Sequence, residues 1–237
     1  MSGPPTKQQV DTYGFQLPFR CLIAAQTGYG KNRLLEEKLM PFFVRQFDQC
    51  IVLAPPRTRG QDSWKRLKKM WTKDGDCWLE VVDEADLPAM QAKADELIQR
   101  GGGKWHTLLI IDDMIEKSRK GWPWLSEMYI SGRHANVSIV DLVQRAFVNR
   151  QMRLNCQYMC LGRMMSRDEC ANIFRQRSSS KTCRERLEYA YEKITDRETR
   201  YPDAAGFLIL DFVSSRQSEL RARDTDLRCV IPQLADC

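Results

Sequence analysis

The chain has 237 residues, of which 43% are hydrophobic and 29% are charged, and its formal net charge is +6. This balance is typical of a folded globular protein and excludes an intrinsically disordered chain, and the length suffices to bury a sizeable core. No segment approaches the roughly 18 uncharged apolar residues of a membrane span, and the first residues lack the apolar core of a signal peptide. We therefore expect a protein of a cytosolic or nuclear-type compartment.

The positive charge is concentrated in one part of the chain. Residues 145–200 hold 13 Lys and Arg against 7 Asp and Glu, an excess that equals the whole net charge, and eleven of those cations are Arg. The planar, permanently charged guanidinium suits contacts with phosphate. A basic face of this kind attracts nucleic acid, although a solvated helical face explains the same pattern equally well.

The first structural signal follows an irregular arm at residues 1–19. The apolar run Arg20–Ala25 predicts a strand, and the turn Thr27-Gly28-Tyr29-Gly30-Lys31-Asn32 leads into a helical pattern. Strand, glycine turn and helix start together build a phosphate cradle, in which Lys31 would reach the terminal phosphates. The turn departs from the P-loop consensus at Ala25, where glycine is usual, and at Asn32, where Ser or Thr is usual. Taken alone, it also fits an ordinary strand-to-helix turn.

The rest of the chain alternates strand and helix patterns. Further strands are predicted at Cys50–Ala54, Trp78–Val82, Thr107–Ile111, Val137–Val143, Cys156–Leu161 and Gly206–Val213. Helices are predicted at Ser63–Trp71, Leu87–Arg100, Ser166–Gln176 and Thr182–Ile194, and Met114–Ser131 should contain a helix that is broken near Gly121-Trp122-Pro123. Continuous apolar strands alternating with helices predict an α/β fold with a mainly parallel central sheet. Residues 214–237 read as a charged C-terminal tail.

Polar side chains follow two of these strands directly. Asp112 and Asp113 end the strand that begins at Thr107, and Gln144 ends the strand that begins at Val137. Because ligands bind at the carboxyl ends of parallel strands, we expect these residues to meet the lysine turn at one edge of the sheet. The acids could instead cap a helix, and Gln144 could be an ordinary loop residue.

The cysteines do not indicate a metal site. The chain has nine cysteines and two histidines, without a C-x-x-C pair or an H-x₃₋₅-H pair. Zinc sites are normally built from such pairs. We therefore expect reduced, mostly buried thiols.

The motifs together resemble a known family. The turn Thr27–Lys31, the strand end Asp112-Asp113-Met114, the segment Gly132-Arg133-His134 followed by Gln144, and Arg153-x-Asn155 occur in the order seen in viral genome-packaging ATPases. These belong to the FtsK–HerA group of P-loop motors found in poxvirus-like viruses, virophages and polinton-like elements. The resemblance covers about residues 20 to 175.

The resemblance implies a RecA-like three-layer αβα core over residues 20–213. It implies a motor that uses ATP and Mg²⁺ to move double-stranded DNA into a capsid, assembled as a homo-oligomeric ring, a hexamer or a pentamer. A capsid or vertex protein is a further candidate partner. The implied location is the host cytoplasm or nucleus at sites of virion assembly, or the virion itself.

Roles carry over by motif. Residues Thr27, Gly28, Tyr29, Gly30, Lys31 and Asn32 would bind the nucleotide, with Asn32 and Asp112 on Mg²⁺. Asp113 would activate the attacking water, and Gln144 would sense the γ-phosphate. Arg133 and Arg153 are candidates for the charge that a neighbouring subunit supplies to the transition state.

Two other functions remain open from the sequence. Asn32 brings no hydroxyl to the metal, which keeps open a ring component that binds nucleotide and docks on DNA but hydrolyses weakly or not at all. A small-molecule kinase on a P-loop core is the third reading, with the arginines of 145–200 as its lid.

Overall fold

A computed structural model gives the fold of the chain. It describes residues 15–44, 46–54, 62–73, 78–82, 87–112, 114, 122–145, 150–164, 166–178, 180–196, 206–213, 221–223 and 229–231. Its nine described strands, numbered in chain order, are β1 Arg20–Ala24, β2 Gln49–Leu53, β3 Trp78–Val82, β4 Thr107–Asp112, β5 Val137–Val143, β6 Tyr158–Leu161, β7 Leu208–Asp211, β8 Arg221–Arg223 and β9 Cys229–Ile231. They form one sheet in the order β3-β2-β4-β5-β1-β6-β7-β8-β9.

The strands from β3 to β6 in that order are parallel, and β7 to β9 add on in antiparallel fashion. Strands β1, β2, β4, β5 and β6 are buried along their whole length, which explains why their sequences are nearly continuous apolar runs. Strand β5 lies between β1 and β4, so the strand before the glycine turn and the strand before the acids are its two neighbours.

Helices cover both faces of the sheet. The described helices are α1 Lys31–Leu34, α2 Met40–Phe43, α3 Asp62–Lys73, α4 Leu87–Arg100, α5 Pro123–Ser131, α6 Arg150–Asn155, α7 Arg167–Arg177 and α8 Lys181–Thr195. Two apolar cores result, one on each face of the sheet. Leu22 and Leu109 face the core that includes α7 and α8, while Cys21 and Leu108 face the core that includes α1 and α3. The predicted three-layer α/β architecture is confirmed.

The helix behind the glycine turn is not regular. Leu35–Leu39 form a π-helical turn between α1 and α2. Pro41 has no amide hydrogen, so a hydrogen bond of a regular helix is missing there. Glu36 in this turn is buried and receives a two-pronged ion pair from Arg66 of α3, with the Nη2 to Oε2 distance at 2.9 Å. This ion pair links α3 to the π-helical turn.

The structure differs from the sequence-based elements in two places. Residues 150–155, for which the sequence predicts no element, form the short helix α6, and β6 begins at Tyr158, two residues after the predicted start of that strand. Strands β8 and β9 extend the sheet into the predicted tail. After the predicted break near Gly121-Trp122-Pro123, the structure has a helix at Pro123–Ser131, and residues 115–121 lie outside the described residues. The domain boundaries stay a prediction. Among the described helices, none has the length and apolar character to span a lipid bilayer.

The cysteine prediction is wrong at one position. Cys21, Cys50, Cys156, Cys160 and Cys170 are free and buried, as expected. Cys183 is disulfide-bonded. Spacing in the sequence could not show this, because a disulfide requires two cysteines that only the fold brings together. Within the described residues, no group of three or more His, Cys, Asp and Glu side chains is arranged to hold a metal ion.

A buried acid lies in the middle of the sheet. Asp141 of β5 is 3% exposed, and the hydroxyl of Tyr129 donates a hydrogen bond to its Oδ2 at 3.2 Å. Burial raises the pKa of Asp141 from 3.8 to about 7, the Tyr129 hydrogen bond opposes this rise, and the Asp112 carboxylate adds to it. Because the folded protein holds this proton more tightly than the unfolded chain, folding stability falls as pH rises from about 4 to 7.

Replacing Asp141 with Asn removes the charge but keeps an oxygen that can accept from Tyr129. We expect the free energy of unfolding of Asp141→Asn, relative to the wild type, to increase by about 2 to 3 kcal/mol between pH 5 and pH 8. Urea unfolding at several pH values measures this difference. Glu127→Gln, which removes an exposed carboxylate from the same helix as Tyr129, is the control. Parallel pH profiles for wild type and Asp141→Asn would contradict the assignment.

Candidate functional site

The segment 25–32, here called the phosphate loop, joins β1 to α1. Gly28 and Gly30 have φ values of 75° and 109°, in the left-handed region that side chains disfavour. A Cβ at Gly28 would meet nothing within 4 Å, so backbone conformation and not crowding requires glycine there. The amide of Leu34 donates to the carbonyl of Gly30 at 2.9 Å and begins the helix. The loop thus turns sharply and presents its main chain outward.

Lys31 reaches back to the first residues of the phosphate loop. Its Nζ donates to the carbonyl oxygens of Ala25 at 2.8 Å and Gln26 at 3.4 Å. Thr27 and Gly28, which lie between Gln26 and Lys31 in the chain, are exposed. The ammonium group is therefore held at the place where an anion entering the loop would meet it.

The start of the loop is fixed on two sides. The amide of Ala25 donates to the carbonyl of Val143 at the end of β5, and the amide of Gln26 donates to that of Arg163 after β6. Ala25 is fully buried, and Asn136 is the only non-glycine residue with a positive φ in the described part of the chain. The methyl group at position 25 is therefore accommodated without backbone strain.

The acid and the amide lie at the same edge of the sheet as the loop. Asp112 is the last residue of β4, is 4% exposed and lies in register with Leu142, while Gln144 directly follows β5. Alternation along β4 places Asp112 on the face of Leu108 and Ile110, which is also the face of α1. Strands β4 and β1 are two strand spacings apart, about 10 Å. Lys31, Asp112 and Gln144 are thus gathered at one edge, as predicted, and Asp113 lies outside the described residues.

The oxygen atoms at this edge suit Mg²⁺. Asp112 offers a carboxylate and Asn32, half-buried in the first turn of α1, offers an amide oxygen. Mg²⁺ prefers oxygen ligands and usually keeps water and phosphate oxygens alongside one or two protein groups. The donor set therefore fits a magnesium ion that arrives with a nucleotide.

The two candidate arginines lie at the opposite edge. Arg133 is exposed in the 3₁₀ turn Gly132–Ala135 before β5, and Arg153 is in α6 before β6. The amino ends of these strands are a full strand length away from the phosphate loop. The structure therefore does not bring either arginine together with Lys31 within one subunit.

Arg133 borders a basic cleft of about 630 Å³, here called the amino-edge cleft. Arg20, His134 and Arg177 also line it, together with the exposed apolar side chains Ile130 and Leu154. The Arg20 guanidinium donates to the carbonyl of Tyr129 at 2.9 Å, and burial together with the charge of Arg133 lowers its pKa. The cleft thus combines cationic and apolar side chains.

Tyr29 is oriented differently from its neighbours in the phosphate loop. Its side chain is 1% exposed and packs inward against Phe207, over Gly162. Its ring is therefore not available to a nucleotide. This role of Gly162 and Phe207 could not be predicted, since neither lies near the loop in the chain.

Comparison with solved structures finds proteins of similar fold. B204, the genome packaging NTPase of Sulfolobus turreted icosahedral virus 2, in complex with ATP-gammaS, matches with a TM-score of 0.61 and 17% identity, over 84% of this chain and 95% of its own. B204 of Sulfolobus turreted icosahedral virus, described as a DNA-packaging ATPase, matches with a TM-score of 0.59 and 17% identity over the same shares. At these identities the likeness shows a shared fold.

Comparison by sequence points to the same group. No protein of curated function matches the chain. The family model for the poxvirus A32 protein matches residues 14–201, which are 188 of the 237 residues and include the phosphate loop, β4, β5 and both arginines. The chain therefore belongs to the poxvirus A32 protein family.

Proposed function

We propose that this protein is an ATP-driven motor that moves double-stranded DNA into a viral capsid. Its membership of the poxvirus A32 family and the fold that it shares with B204 support a viral genome-packaging ATPase. The observation that carries the proposal is the placement of Lys31, Asp112 and Gln144 at one sheet edge and of Arg133 at the other. This arrangement suits hydrolysis at a site completed by a second subunit.

Binding of the triphosphate begins at the phosphate loop. Lys31 moves its hydrogen bonds from the carbonyls of Ala25 and Gln26 to the terminal phosphates, and the loop amides contact phosphate oxygens. Asp112 and Asn32 would hold Mg²⁺, which when bound would neutralise part of the phosphate charge. Most of the affinity in this scheme is electrostatic.

Hydrolysis requires a positioned water. Asp113 follows Asp112 and accepts a proton from the attacking water, while the Gln144 amide orients that water or contacts the γ-phosphate. Because Asp112 is committed to the metal, Asp113 is the better base of the two. Charge that develops on the transferring phosphoryl group is neutralised by Lys31 and by an arginine from the next subunit.

The proposal extends to a ring and to DNA. If the amino-edge cleft of one subunit faces the phosphate loop of the next, the contact joins two different surfaces, and repeated contacts of this kind form a ring when their rotation closes. Exposed arginines of the basic region, among them Arg145, Arg163, Arg175 and Arg186, supply charge for the phosphate backbone. The proposed site of action is the place of virion assembly, with a capsid or vertex protein as docking partner.

Lys31→Ala tests the nucleotide site. We expect loss of ATP binding and a fall of at least about 100-fold in DNA-stimulated hydrolysis, because the loop loses its only positioned ammonium. Lys104→Ala, which removes an exposed lysine before β4, is the matched control and should retain both activities. ATPase rate against DNA concentration, together with particle mass, measures stimulation and ring formation in one series.

Other outcomes would select another function. Full DNA-stimulated hydrolysis by Lys31→Ala would contradict the assignment of the site. ATP binding without turnover in the wild-type ring would favour the DNA-docking component, and phosphate transfer to nucleosides would favour a kinase.

Mixing two inactive variants tests whether Arg133 acts on a neighbour. We expect Arg133→Ala to keep ATP binding and to lose at least about 100-fold in turnover. Rings assembled from equal amounts of Arg133→Ala and Lys31→Ala should recover about a quarter of the wild-type rate per subunit, since about a quarter of junctions then pair an intact phosphate loop with an intact Arg133. The same mixture with Arg153→Ala in place of Arg133→Ala tests whether Arg153 acts on the neighbouring subunit. Failure of both mixtures to recover activity would contradict a shared site.

A further inference from the structure

We propose that Tyr29 is a positioning residue that sets the affinity for nucleotide by anchoring the phosphate loop to the junction of α8 and β7. The inference rests on the proposed function of that loop as a triphosphate site. Tyr29 acts through the loop backbone and does not itself touch the ligand.

The loop is built to turn this one side chain inward. Tyr29 stands between Gly28 and Gly30, both with positive φ, and its amide donates to the carbonyl of Gln26 at 3.2 Å. Thr27 and Gly28 are exposed, whereas Tyr29 is 1% exposed. The two glycines allow the main chain to face outward while the largest side chain of the loop enters the core.

The hydroxyl of Tyr29 ties the loop to a remote part of the chain. It lies 2.9 Å from the carbonyl oxygen of Gly206, just before β7, and 3.3 Å from that of Thr195, the last residue of α8. These carbonyls are 177 and 166 positions away in the sequence. A hydroxyl has one proton, so its main partner is the nearer Gly206 carbonyl.

The ring occupies a space that other residues keep open. Its centroid is 5.3 Å from that of Phe207, with the planes at 69°. A Cβ at Gly162 would lie 2.6 Å from the Tyr29 ring, so any side chain there would displace it. The Tyr191 hydroxyl donates to the carbonyl of Gly162 at 2.9 Å and accepts from the amide of Met164 at 3.0 Å, which fixes the floor of this space.

The physical consequence concerns the population of the binding conformation. The loop must hold an outward main chain between two flexible glycines, and the buried tyrosine restricts it to that arrangement. When the anchor is weakened, part of the population leaves the binding conformation, and the apparent Kd rises by the inverse of the fraction that remains. Bound nucleotide restores the loop, so turnover at saturation is largely preserved.

Tyr29→Phe removes the hydroxyl and keeps the ring. We expect the KM and Kd for ATP to rise about three- to tenfold, as for the loss of one buried hydrogen bond, with kcat within about twofold of the wild type. Gly162→Ala displaces the ring from below and should shift KM in the same direction. Tyr189→Phe, which removes a hydroxyl from an exposed tyrosine of α8, is the matched control and should leave KM, Kd and kcat unchanged.

The split between KM and kcat separates positioning from plain structural support. A lower melting temperature for both Tyr29→Phe and Gly162→Ala with unchanged Kd and KM overturns the inference, and so does a fall in kcat at constant KM. Calorimetry with ATP on the wild-type ring accompanies the series. Absence of binding there overturns the proposed function together with this inference, whereas unaltered affinity in the variants beside a wild type that binds overturns this inference alone.

Discussion

Parallel alignment of the central strands is the constraint on which the rest of this molecule depends. Because β1, β4 and β5 run in the same direction, the residues that follow them gather at one edge, and the residues that precede them gather at the other. Lys31, Asp112 and Gln144 are thereby brought together from three distant parts of the chain. The same alignment holds Arg133 a full strand length away.

The phosphate loop is attached to the fold through both its main chain and its side chains. Its start is held by hydrogen bonds to β5 and to the segment after β6, and its lysine bridges the two carbonyls at its base. Tyr29 gives the loop a third attachment, through the core, to α8 and β7. These contacts therefore hold the glycine-rich loop to several parts of the fold.

Much of this could be predicted from the sequence. The apolar runs predicted the bounds of β1, β2, β3, β4 and β5 to within one or two residues. The ends of these runs also indicated the sheet edge at which the phosphate loop, Asp112 and Gln144 lie. Leu87–Arg100 was predicted with the observed bounds, since three glycines end it clearly.

What could not be predicted depends on contacts between distant residues. Gly162 and Phe207 shape the space for Tyr29, but neither has a local pattern that points to the loop. The apolar sequence around Asp141 did not indicate that its carboxylate is buried against Tyr129. The helix α6 is too short to show a clear helical period in the sequence. The π-helical turn behind the loop arises where the helix meets Pro41 and Arg66, and residue preferences alone specify neither contact.

The separation of Arg133 from Lys31 has a consequence for mixed assemblies. In the proposed ring every subunit serves two reaction centres, one with its phosphate loop and the next with its arginine. A copy that carries defects at both positions would disable the junctions on either side of it while still folding and entering the ring. Such a copy should act as a dominant-negative subunit, because it inactivates two reaction centres and not one.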